Sequence, residues 1–185
     1  MPARWIVTAK FVYCDYSFPV PIHDSTMSMT APERAARIQQ IRELPASVRA
    51  AVDGLTDTQL DTPYRPGGWT VRQVVHHLAD SHLNAFVRMK LILTESRPTL
   101  KPYDQNAWAL LRDSAAPLPP SLAILDGLHA RWTLLLDGVG EDQWSRAAVH
   151  PESGEVTLET LLKTYSNHCA NHLGQITGLK KARGW

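Results

Sequence analysis

Apolar residues recur at helical spacing along four long stretches of the chain, and proline- and glycine-bearing segments separate them. Thr30-Ala-Pro-Glu33 has the form of a capping box, a hydroxyl three residues ahead of a carboxylate. It opens an amphipathic stretch predicted as a helix to about Val52, closed by Asp53-Gly54. Thr56-x-x-Gln59 starts a brief helical turn, and TPYRPGGW (62–69) reads as a loop. Thr70-x-x-Gln73 opens a second long helix, which runs to about Glu95. The five prolines of residues 97–120 (Pro98, Pro102, Pro117, Pro119, Pro120) predict a long connection, and loops of that length often carry function. A third helix is expected over 121–137, a small hairpin around HPESGEV, and a fourth helix from Thr157 to about Lys181, with Gly184 beyond it as a stop signal.

Four helices with no convincing strand set predict an all-α protein, a four-helix bundle with a long loop between helices 2 and 3. Residues 30–185 form that bundle domain. Residues 1–29 lack helical period and contain Pro19 and Pro21. They read as an N-terminal arm or tail, or as translated sequence upstream of a start near Met27 or Met29.

The stripes also orient the histidines. At about 100° per residue, Val71, Val74, Val75, Leu78, Ala85, Phe86 and Met89 share one face of the second helix. His82 lies near the middle of that face, His77, Ser81 and Arg88 follow one flank, and His76 and Asp80 point away. On the fourth helix Leu158, Leu161, Leu162, Tyr165, Cys169, Leu173 and Ile176 form the stripe, flanked by His168, His172 and Gln175. His168 and His172 are spaced i, i+4, so both imidazoles point the same way about one turn apart. A third imidazole from the 76–82 cluster would give three neutral nitrogen ligands with a coordination position left open, the arrangement of a catalytic zinc centre. Spacing alone does not choose within the cluster. His82 reads as a ligand, as a partner of a ligand, or as a hydrogen-bonded core histidine, with the last favoured. His76 reads as a solvated or interface residue, and His23, His129 and His150 as non-functional. Cys169 reads as core.

Composition narrows the function. The 185 residues are 44% apolar and 20% charged, with a formal net charge of +1, so nothing favours nucleic acid or an anionic membrane. No apolar run approaches the roughly 20 residues of a membrane span. Two cysteines, Cys14 and Cys169, predict reduced thiols in a cytoplasmic protein. No signal peptide is expected from the first residues, which Lys10 and Asp15 interrupt.

GGWTVRQVVHHLADSH, then LILTE, RPTLKPYDQNAW, HxRWT and a late HxxxH helix together resemble the DinB-like four-helix bundles, most closely the YfiT branch. The resemblance runs from about Glu33 to Trp185. It implies a metal-dependent hydrolase related to bacillithiol S-transferases, and a cytoplasmic homodimer. The implied ion is divalent, zinc or else nickel. Its metal-binding histidines fall on His77, His168 and His172, which selects His77 within its cluster. The chain departs from its relatives at Asn167, Cys169 and Asn171, where they can carry more histidine.

Three functions follow. A hydrolase would use the centre to activate a metal-bound water against a small-molecule substrate. It would lack an evident general base, since Asp80 faces away and Asp104 is only a candidate. A thiol S-transferase would bind the sulfur of a low-molecular-weight thiol, which needs no protein base once coordinated. A non-enzymatic, metal-stabilised binding module would close its shell with a fourth protein ligand, for which Gln175 is placed. Lys101, Tyr103 and Asn106 of the long connection either cover the substrate or pack the loop down, and packing is favoured.

Overall fold

In the computed structural model, residues 28–185 are described, and the arm expected over 1–29 lies outside them except for Ser28 and Met29. The four long helices are α1 (Ala31–Val52), α3 (Val71–Thr94), α5 (Pro119–Asp137) and α6 (Leu158–Arg183). Short helices α2 (Asp57–Leu60) and α4 (Gln105–Ala109) sit in the connections, and β1 (Ala147–His150) pairs antiparallel with β2 (Gly154–Thr157).

The helix starts follow from local chemistry. At Thr30, Thr56 and Thr70 the hydroxyl accepts from the backbone three residues on, and the Glu or Gln there reaches back to the cap amide. Each box satisfies two of the amides that a helix start leaves without partners. α5 begins at Pro119, earlier than the periodicity suggests, because prolines in the first turn forgo only amides that have no helical partner. Gly184 ends α6 in the left-handed region (φ 70°), where its missing side chain avoids strain, and the Trp185 amide closes on the Lys180 carbonyl at 3.0 Å.

α1 packs on α5 and α6, and α3 packs on the same two helices. The core between them holds Ile41, Val48, Leu78, Met89, Leu125, Trp132, Leu162 and Ile176, all fully buried. Charge ties the periphery. Buried Arg72 clasps Asp61 and Asp57 of the α2 region at 2.6 and 2.7 Å, and Arg34 joins Glu159 at 2.9 Å.

The 97–120 connection is more ordered than a plain loop. The Leu100 amide donates to the Val149 carbonyl and the Val149 amide to the Pro98 carbonyl, which stitches its start to β1. α4 and a 3₁₀ turn (Arg112–Ala115) then fold back over α3. This packing corrects the reading of His76 as solvated. His76 is 7% exposed, with Nδ1 2.7 Å from Ser121 Oγ and Nε2 2.9 Å from the Ala116 carbonyl. A helical wheel registers one buried face, and here the returning connection buries a second.

Candidate metal centre

α3 and α6 run side by side where their flanks meet, and the structure brings His77, His168 and His172 together there. His77 Nε2 lies 3.1 Å from His168 Nε2, and His172 Nε2 lies 3.1 Å from the same atom. One ligand nitrogen from each ring falls within 4.8 Å of the others. A tetrahedral ion with bonds of about 2.0–2.1 Å sets its nitrogens roughly 3.3 Å apart, close to the two 3.1 Å separations that meet at His168 Nε2. All three rings are buried.

Burial depresses the basicity of each ring. His77 is held well below the ordinary imidazole range by desolvation and then by His172. His168 is held well below it by desolvation and then by His172, His82 and His77. His172 is lowered by desolvation, which the bond to Gln175 partly opposes. All three are therefore neutral at pH 7, the state in which imidazole binds a metal. His172 Nδ1 donates to Gln175 Oε1 at 2.8 Å, which leaves a lone pair on Nε2 facing the other two rings. His168 Nδ1 lies 3.0 Å from His82 Nε2, and a proton held there leaves His168 Nε2 bare as well, so that the His168 and His172 lone pairs 3.1 Å apart favour a cation between them. On that chemistry the residues fit a divalent ion.

The surroundings shape access. Trp69, at the end of the glycine turn, lies 4.6 Å from the His77 ring and stacks near-parallel to His172 at 6.4 Å between centroids. Gly68 before it admits no side chain cheaply, since a Cβ there would come 2.8 Å from Arg65 Cγ. Behind the centre, His82 Nε2 lies 3.0 Å from His168 Nδ1, and His82 Nδ1 lies 2.9 Å from His129 Nε2. His82 is thus a buried, hydrogen-bonded histidine of the core, the reading favoured from the sequence, and it is also the partner of His168. His129, read as non-functional, is its partner. No spacing signal could have paired residues 82 and 129, because they meet only through the packing of α3 on α5.

Other expected residues take different places. Asp104 accepts from the Asn106 and Ala107 amides at 3.0 Å and caps α4. Asp80 has its carboxyl raised by burial and then by Asp113, with His76 opposing the shift, and it bonds to none of the three histidines among the hydrogen bonds of the described residues. Gln175, weighed as a ligand, serves His172 from outside. Cys169 is core, and burial pushes its thiol up to about 12, far from a metal-binding thiolate. The long connection packs down. The Lys101 carbonyl accepts from Arg88 at 2.6 Å, and the Tyr103 ring lies 4.5 Å from Trp108. Asn106 Oδ1 is buried without a partner among the described residues.

Residues 40–176 match the model of the DinB superfamily. The chain is 47% identical over 171 residues to the "Putative metal-dependent hydrolase YfiT" of Bacillus subtilis, covering 91% of this chain and 96% of that protein. It is 46% identical over 171 residues to a "Putative metal-dependent hydrolase" of Geobacillus kaustophilus, covering 91% and 96% respectively. The solved structure of the B. subtilis YfiT, described as "a probable metal-dependent hydrolase with an unusual four-helix bundle topology", superposes with a TM-score of 0.84 at 46% identity, over 91% of this chain and 98% of that one. With the fold, the order of its helices and the sequence agreeing over nearly the whole described length, this chain belongs to the DinB superfamily.

Proposed function

We propose that this protein is a metal-dependent hydrolase in which His77, His168 and His172 hold one divalent ion, zinc in the first place and nickel in the second. The convergence of three buried, neutral Nε2 atoms from α3 and α6 carries the reading. Imidazole sets accept zinc, nickel, copper or iron, and the preference for zinc comes from the open three-histidine pattern. When bound, such an ion is a Lewis acid that also lowers the pKa of water towards about 7. The chain supplies the rest. Gln175 and His82 hold two of the rings in place, and Trp69 walls off one side. Burial keeps all three imidazoles unprotonated.

One observation favours a second reading, thiol S-transfer. The carboxylate of Asp104 is committed to the α4 cap, and among the described residues no carboxylate hydrogen-bonds to the three histidines. A thiol bound at the centre needs no such base. Metal analysis of the purified protein, followed by assays on ester and amide panels and on electrophiles with added thiol, separates the two. Hydrolysis without thiol, abolished by a chelator and restored by zinc, is the expected result. Turnover of electrophiles only with added thiol replaces it with the transferase. A chain that takes up no metal overturns both. The resemblance also carries a cytoplasmic homodimer acting on a small molecule, and light scattering on the same sample is expected to read twice the chain mass.

A further inference from the structure

Behind the proposed ligands runs a line of imidazoles that hydrolysis itself does not use. His129 Nδ1 on α5 lies 2.6 Å from the Ile41 carbonyl oxygen on α1, His129 Nε2 lies 2.9 Å from His82 Nδ1, and His82 Nε2 lies 3.0 Å from His168 Nδ1. His82 is 0% exposed and His129 2%. Among the described residues no carboxylate hydrogen-bonds to either ring, and so dry a place disfavours an imidazolium, which leaves each ring one proton.

The proton positions then follow in order. A carbonyl only accepts, so His129 carries its single proton on Nδ1 and turns a lone pair out at Nε2. That lone pair needs a donor, which is His82 Nδ1–H. With its one proton spent there, His82 accepts at Nε2, and the donor to it is His168 Nδ1–H. His168 Nε2 is left bare, aimed at the Nε2 atoms of His77 and His172. With one proton on each ring, any other assignment sets two N–H groups or two lone pairs against each other in the dry core.

We propose that the Ile41 carbonyl, His129 and His82 form a strut that fixes the tautomer and ring orientation of His168, so that one main-chain oxygen on α1 prepares the central ligand of the metal centre. It rests on the three-histidine reading given above and adds two positioning residues to it. Because the line ends on a carbonyl, which has no proton to release, it orients and does not conduct protons. It also joins all four long helices, α1 through Ile41, α5 through His129, α3 through His82 and α6 through His168, so the centre depends on bundle packing as a whole.

Ring-¹⁵N correlation spectra of the full chain, metal-free and zinc-loaded, read the tautomers directly. Nδ1–H is expected at His129, His82 and His168 in both states. A proton on Nε2 of His82 or His129 overturns the proposal, and this readout needs no variant. Zinc affinity, measured by competition with a chromophoric chelator, gives the second test. His82→Gln retains an oxygen that accepts from His168 Nδ1–H, whereas His82→Leu fills the space without an acceptor. The Leu variant is expected to bind zinc about 10–100-fold more weakly, the usual cost of losing an outer partner of a ligand. The Gln variant should stay near the parent, a rescue that a purely space-filling role does not produce. Equal weakening in both variants, or parent-like affinity in the folded Leu variant, overturns the strut alone. A parent chain that binds no zinc overturns the metal reading itself and, with it, the strut.

Discussion

Replacing His168 by alanine is expected to strip the protein of metal while leaving most of its helicity. Among the three proposed ligands, His168 is the one whose Nε2 sits 3.1 Å from both of the others. Structural zinc sites bind with about 10–16 kcal/mol over four ligands, so one ligand is worth roughly 2.5–4 kcal/mol, or about two to three orders of magnitude in affinity. Micromolar traces of metal would no longer survive purification. The fold loses much less. α6 is capped at Thr157 and at Gly184, and Leu158, Leu161, Leu162, Tyr165, Ile176 and Leu179 of its stripe are buried independently of this residue. Alanine is also the best helix former. Elemental analysis beside far-UV circular dichroism checks both halves. Equal metal occupancy in variant and parent would remove His168 from the centre.

Much of this architecture was legible because it is written locally. Each of the three Thr-x-x-Glu/Gln boxes placed a helix start to the residue, since the signal and the bonds it forms lie within four positions of one another. The HPESGEV segment likewise folds as the hairpin its turn residues suggest. The i, i+4 pair on α6 gave two of the converging rings for the same reason. The third needed the family resemblance. Periodicity marked His82 as the most inward of its cluster, and it is fully buried, yet depth is not convergence. The Nε2 atoms meet on the flank where the α3 and α6 stripes adjoin, and His82 stands one layer behind, against His168. The partners of His76 and His129 escaped the sequence reading for a related cause. These partners, Ser121 and Ala116 for one and His82 and Ile41 for the other, lie 40 to 88 residues away in the chain. No periodic pattern reports which of several surfaces will return to cover a given helix face.

The buried imidazoles make the metal-free protein acid-sensitive well above the range in which carboxylates titrate. Burial holds His77, His82 and His168 well below the ordinary imidazole value of 6.5, with the neighbouring rings adding to it. The sign is fixed by linkage. In the unfolded chain these groups take up protons as the pH falls through about 6.5, whereas in the folded chain they stay neutral, so the unfolded state binds more protons and stability falls with pH. The stability these rings contribute is fully present above 6.5 and is lost on the way down. Each contributes up to about 1.4 kcal/mol per pH unit, so three together reach roughly 4 kcal/mol per unit, against a total stability of about 5–15 kcal/mol for an ordinary domain. Metal-free protein is therefore expected to lose thermal stability steeply as the pH falls below 6.5. Bound zinc binds only the unprotonated rings, so saturating zinc should move the acid midpoint lower, by mass action on the folded state. His82→Gln, which takes one titrating ring out of the core, should make the decline shallower. Melting curves of the metal-free protein from pH 7.5 to 4.5 test the argument. A melting temperature that holds steady down to pH 5 would mean that these rings are not kept neutral by burial, and the protonation state on which the proposed centre depends would go with it.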